Sequence, residues 1–209
     1  MTTAQKAPKK FPIVPVVFGV VLVALISIVT LTFDDGGTGD QYGSPEISGD
    51  ILPLLSDGAN DPAVGLAAPE VVGADYDGNP VSITNDGNAK IIVFVAHWCP
   101  HCQREVPIVK QWLEDNPLPA NVDIYSVSTS ISSTRENYPP SSWLDREGWT
   151  APVIVDDEAS HVGDAFGLTA FPFWVFTGAD GTVVARITGG IAPSDLDNAV
   201  ATLQAEFSG

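Results

Sequence analysis

Hydrophobic and polar positions follow three different rhythms along this chain. The first is an unbroken apolar run from Phe11 to Phe33, "FPIVPVVFGVVLVALISIVTLTF", 23 residues without a charge. As a helix it would extend roughly 34 Å, enough to cross a bilayer core. The second rhythm is the strand. "PEVVGADYDGNPVSI" holds two short apolar stretches around Asp77-Gly78-Asn79, a hairpin signal. "KIIVFVA" at 90–96 and "VDIYSVS" at 122–128 are continuous and rich in β-branched residues, which predicts strands buried on both faces. The third is helical spacing from Cys99 to Asp115, with Val106, Val109 and Leu113 on an inner face and Pro107 predicting a kink. Strand, helix and strand make a βαβ unit, the crossover that a parallel pair requires.

Downstream, "TSISSTRENYPPSSWLDREGW" reads as a loop and then a short helix near Ser142 to Glu147. "APVIVD" is another strand, and "SHVGDAFGL" a short helix ended by Gly167. "FPFWVFTGADGTVVARITG" is a hairpin across Gly178 to Gly181. "PSDLDNAVATLQAEF" closes the chain as a helix, with Ser194 as N-cap and Leu196, Val200 and Leu203 facing inward. The class is α/β, a central mixed sheet flanked by helices.

Charge gives the apolar run a direction. Lys6, Lys9 and Lys10 precede it, and no acid occurs before Asp34. The basic end should therefore stay in the cytoplasm and the rest face outward, a single-pass membrane protein with an extracytoplasmic C-terminal domain. A cleaved signal peptide is the competitor. Against it, the run is long for that role and "TLTFDDGG" is a poor cleavage site. No cysteine follows the run, so lipid modification there is not expected. The expected organisation is a basic N-terminus (1–10), a transmembrane anchor (11–33), a flexible acidic linker (34–60) and a folded domain (61–209). From residue 34 onward six basic side chains face 26 acidic ones, a net of −20. Such a surface repels nucleic acid and anionic bilayers and keeps the domain soluble.

The only two cysteines stand in "AHWCPHCQREVP", residues 96 to 107. Placed at i and i+3 where a helix begins, they lie within disulfide reach. Cys99 is expected as the N-cap and Pro100 as the first helical residue. The free N–H groups and the positive end of the helix dipole favour a thiolate at Cys99, making it the nucleophile. Cys102, a turn inside and shielded, would resolve the mixed disulfide. A protonated His101 between them would stabilise the reduced form and make the disulfide more oxidising. Trp98 would pack beside the sulfur as a cover or as a plain core aromatic. A structural disulfide this local would contribute little stability. A metal site would draw on His97, Cys99, His101 and Cys102, but four donors within six residues cannot easily surround one tetrahedral ion.

"VFVAHWCPHC", after a buried strand and before a proline-containing helix, resembles the thioredoxin superfamily over roughly residues 65 to 205. "LTAFPFWVFTGADG" is similar to the segment carrying that family's cis-proline, here Pro172. The resemblance implies that this loop faces the cysteines and binds extended substrate backbone, with Phe171 touching both substrate and Cys99. Within the superfamily, the layout looks most like the membrane-anchored TlpA/ResA type, whose W-C-x-x-C-x-x-E-x-P is met by Trp98, Cys99, Cys102, Glu105 and Pro107. The segment at roughly 129–160 matches that type in placement. Two departures stand out. Pro100-His101 is the dipeptide of DsbA-like oxidases, and Val93 occupies the position of thioredoxin's buried acid. Glu105 is the substitute the sequence offers.

The resemblance implies a thiol-disulfide oxidoreductase with no cofactor beyond the Cys99–Cys102 pair. Its partners would be thiol or disulfide proteins and a membrane redox protein that recycles the pair. Pro100-His101 argues for oxidation of exported thiols; the layout argues for reduction, as in cytochrome c maturation. A copper or zinc module built on the His/Cys cluster is the rival of another class. A peroxidase would need a single peroxidatic cysteine with its own surrounding motif, which is not seen. His161 reads as surface, His97 as either tuning or solvent-facing, and Trp143, Trp149 and Tyr138 as packing for the inserted helix.

Overall fold

A computed structural model describes residues 41–56 and 60–205. The basic N-terminus and the apolar run at 11–33 lie outside the described residues. Among the described residues, no helix is long and apolar enough to cross a membrane. Along the chain come β1 (Glu46–Ser48), β2 (Glu70–Ala74), β3 (Pro80–Ile83), β4 (Ala89–Val95), α1 (Pro100–Asp115), β5 (Val122–Ser128) and α2 (Pro140–Glu147). Then follow β6 (Val153–Val155), α3 (His161–Ala165), β7 (Phe173–Thr177), β8 (Val183–Thr188) and α4 (Pro193–Ala205).

The main sheet has the order β6-β5-β4-β7-β8. β4 pairs parallel with β5 and antiparallel with β7, so the sheet is mixed. Every residue of β4 is buried, as its unbroken apolar run predicts. Alternation divides its side chains between two cores. Ile91, Val93 and Val95 face a cluster with Cys102, Val106, Val109 and Trp112 of α1, Trp143 of α2 and Leu196 of α4. Ile92 and Phe94 face a second cluster with Val71, Ile83, Val162 and Phe166. One face of the sheet is thus covered by α1, α2 and α4, the other by α3 and a small sheet of order β1-β2-β3.

Three sequence expectations change. Residues 41–56, assigned above to the linker, are packed on the domain: β1 pairs with β2, Leu52 is buried, and Leu52 N donates to Ala165 O at 2.9 Å. A three-residue strand is too short for periodicity to reveal. On α1 it is Trp112 that is buried, its indole N–H donating to Asp197 Oδ1 at 2.8 Å, while Leu113 packs at the margin. On α4 the helix starts at Pro193, and Ala192 O accepts from Asp195 N and Leu196 N, so Ser194 lies in the first turn and not at the cap. Proline at the first helical position needs no N–H partner, and that preference overrides the serine signal.

Candidate active site

The buried strand β4 ends at Val95, and four residues later Cys99 opens α1 in extended conformation (φ −79°, ψ 119°), with Pro100 first in the helix. Cys99 N donates to Ala96 O at 2.9 Å and Gln103 N to Cys99 O at 3.0 Å, which fixes the turn. No side chain caps this helix end and no acid stands in its first turn. The first-turn N–H groups of α1 therefore have no side-chain cap. Both cysteines are free thiols. Cys99 is 6% exposed and Cys102 0%. Burial pushes the Cys102 thiol far up, and the charges of Cys99 and Glu105 push it further. The two sulfurs are thereby unequal: Cys99 keeps a small exposed area at the helix end, while Cys102 is fully enclosed and held as a thiol.

The second wall of the site comes from the loop before β7. The Phe171–Pro172 peptide is cis, and the Cys99 thiol points to Phe171 O at 4.0 Å. Pro172 O accepts from Gly189 N at 2.8 Å, tying this loop to the end of β8. Trp98 closes one side. Its indole N–H donates to Ser130 O at 2.7 Å, and its ring meets Phe171 edge-on at 5.9 Å. The Arg135 guanidinium lies 4.5 Å over the Trp98 ring.

Glu105, one turn after Cys102, is only 5% exposed. Its Oε1 accepts from Ile191 N at 2.7 Å. Burial raises its carboxyl above the ordinary range, against the lowering effect of that bond. Gly190 makes the approach possible, since a Cβ there would lie 2.7 Å from Glu105 Oε2. Val93 lies between Trp174 of β7 and Ser126 of β5, and the acid whose charge acts on Cys102 is Glu105 of α1.

The histidines separate cleanly. His97 is wholly buried; Nδ1–H donates to Glu136 O at 2.7 Å and Nε2 accepts from Ser132 N at 3.1 Å. It pins the 129–139 loop beside the cysteines and does not face solvent. Burial holds its pKa below the ordinary value, outweighing the Glu136 carbonyl. His101 is exposed, and its Nδ1 lies 2.9 Å from Arg104 Nη2. Arginine only donates, so Nδ1 is the acceptor in this arrangement. His161 is at the surface, paired with Asp157. Trp143 is buried beneath α2 and Trp149 donates to Ser126 Oγ at 2.9 Å, while Tyr138 is 40% exposed.

Sequence reading missed Arg104, Arg135 and the Gly189-Gly190-Ile191 segment. The paired glycines after a strand were the available signal of close backbone approach. Among the described residues, no group of three or more His, Cys, Asp or Glu could hold a metal ion. Both nitrogens of His97 are already taken by backbone groups, which removes one member of the donor set considered above.

The family model described as Redoxin matches residues 63–203. Among solved structures, a thiol:disulfide interchange protein of the thioredoxin family from Chlorobium tepidum TLS is 24% identical, with a TM-score of 0.56, over 69% of this chain and 99% of that one. DsbF of MTB, seen in mixed oxidised and reduced forms, is 25% identical, TM-score 0.51, over 61% and 90%. StoA from Bacillus subtilis is 20% identical, TM-score 0.54, over 66% and 98%. The fold is therefore thioredoxin-like.

Proposed function

Because the chain belongs to the Redoxin family and is a thiol-disulfide oxidoreductase, we propose that it works as an anchored, extracytoplasmic enzyme with Cys99 as nucleophile and Cys102 as resolving thiol, oxidising the thiols of exported proteins. The observation that carries this reading is the asymmetry of the pair. Cys99 sits at the bare N-terminal end of α1 facing Phe171 O, while Cys102 is buried with its thiol pushed far up. An incoming thiolate can reach only the first sulfur.

In the oxidising direction, a substrate thiolate attacks Cys99 Sγ of the Cys99–Cys102 disulfide. The S–S bond breaks and its electron pair leaves on Cys102, which takes a proton. A second substrate thiolate attacks the substrate sulfur of the mixed disulfide and releases Cys99 as thiolate. The substrate loses two electrons and the pair gains them, and a membrane redox protein of the opposite poise takes them away. Substrate backbone would lie along the Phe171–Pro172 loop. Glu105 is the nearest carboxylate on α1 to Cys102 and would accept or supply the proton there.

Two features support the oxidising direction. No acid replaces Val93 in the strand, and the Arg104 guanidinium lies against His101, two residues after Cys99. Stabilising the thiolate lowers the free energy of the reduced pair and raises its potential. The Trp98 to Pro107 layout favours a second reading, a disulfide reductase serving cytochrome c maturation. The reduction potential of the folded domain decides between them: a value near roughly −120 mV supports oxidation, and one near roughly −270 mV sinks it.

A further inference from the structure

Four of the six Lys and Arg side chains among the described residues are paired with a carboxylate. Lys90 pairs with Asp86, Lys110 with Glu114, Arg146 with Glu147 at 3.9 Å, and Arg186 with Asp61. Among the described residues, two cations have no carboxylate within ion-pair distance, Arg104 and Arg135. Both are exposed, and each contacts a residue close to Cys99 in sequence. Arg104 Nη2 is 2.9 Å from the ring of His101, two residues after Cys99. The Arg135 guanidinium lies over Trp98, the residue before Cys99. Glu136, which follows Arg135, turns instead to Gln103 Nε2 at 3.3 Å.

We infer that Arg104 and Arg135 form a two-pronged docking site for carboxylates, so that the preferred partner is a peptide segment whose target cysteine has Asp or Glu close by in sequence. The inference rests on the thiol-disulfide exchange proposed above. Each guanidinium is held in place by a neutral partner, an imidazole nitrogen or an indole face, and keeps N–H donors free for a carboxylate. Arg104 stands on α1 and Arg135 on the 129–139 loop, each against a residue within two positions of Cys99, so a segment joined to Cys99 has both within reach. The rest of the domain repels acidic chains, but that repulsion is screened beyond about 8 Å at physiological salt. Contact-range selection is then left to the two arginines. An acidic segment is accepted at this window and repelled elsewhere, which fixes the orientation of docking.

The test uses the oxidised domain of residues 41–209 within the full chain and three cysteine peptides that differ only in flanking residues: Asp/Glu, Asn/Gln or Lys. Rates of disulfide exchange at fixed pH and salt should favour the acidic peptide over the neutral one by about fivefold, the scale of two exposed ion pairs. In the Arg104→Gln/Arg135→Gln variant that ratio should fall to about one, and in Arg104→Lys/Arg135→Lys it should largely return. Taking the ratio within each variant cancels any change in the intrinsic reactivity of Cys99. The inference is overturned if the wild type shows no preference for the acidic peptide, or if the preference survives loss of both arginines. Absence of exchange with every peptide overturns the proposed function as well.

Discussion

Glu105 and Ile191 are joined by a 2.7 Å hydrogen bond from a backbone N–H to a buried carboxylate. This links the helix that carries both cysteines to the segment after β8, whose Gly189 N in turn holds Pro172 O. A path of direct bonds therefore runs from the turn below Cys102 to the loop that faces Cys99.

That path makes Glu105 testable on two counts. Glu105→Gln keeps an acceptor for Ile191 N but cannot take a proton. Formation of the mixed disulfide, the step in which Cys102 leaves and takes its proton, should slow by about 100-fold, the usual scale for a lost proton-transfer group, in single-turnover kinetics. Stability should move the other way. Burial raises the folded carboxyl above its unfolded value, so the wild type loses stability as pH rises from the unfolded value through the folded one. The Gln variant should lack that loss, and urea midpoints measured across this range check it.

Gly190→Ala tests the same contact from the other side. Its Cβ would lie 2.7 Å from Glu105 Oε2, and the backbone there is not in the left-handed region. Displacement of the carboxylate should cost about 1–3 kcal/mol in equilibrium unfolding. Gly190→Ala combined with Glu105→Ala should cost less than the sum of the two single changes.

How much of this was legible in the sequence depends on the range of the contact. The βαβ unit, the cap at Cys99 and the two hairpins are local patterns, and they stand where periodicity and turn residues put them. The burial of Glu105 could not be read, because a lone carboxylate on a helix is ordinarily exposed. Its partner lies 86 residues away, in a Gly-Gly segment with no periodicity. His97 was ambiguous for the same reason, since both of its partners belong to a loop 35 to 39 residues downstream. Strand β1 is held by pairing with β2 and by Ile47 against the second core cluster, and its three residues are too few to carry a periodic pattern.

His97 should make the 129–139 loop sensitive to acid. Its Nε2 must accept from Ser132 N, so protonation breaks a buried bond. The folded pKa is depressed, so stability falls as pH drops through the unfolded value of about 6.5 and levels off below the folded value. Amide exchange in residues 130–138 should quicken over this range before global unfolding does. His97→Asn should lower stability by about 1–3 kcal/mol and flatten the pH dependence.

Asp61 and Arg186 hold the N-terminal segment on the domain. Arg186 Nη1 also donates to Pro53 O at 2.9 Å and Phe166 O at 2.7 Å. Asp61→Asn leaves that guanidinium without its counter-charge. Destabilisation of about 2 kcal/mol is expected, below the roughly 3–5 of a fully buried pair because Asp61 keeps some exposure. The bond to Arg186 depresses the Asp61 pKa. The pair's stabilisation is therefore present above the unfolded carboxyl value and lost as pH falls through the folded one. The Asn variant should show no such acid-side loss in a pH series of thermal midpoints.

The central claim is the division of labour between Cys99 and Cys102, and mixed-disulfide trapping tests it most directly. With a thiol peptide as partner, Cys102→Ser should accumulate a covalent adduct whose linkage maps to Cys99 by mass spectrometry, while Cys99→Ser should form none and lose disulfide exchange to background. Full exchange by Cys99→Ser, or an adduct mapped to Cys102, would contradict the account.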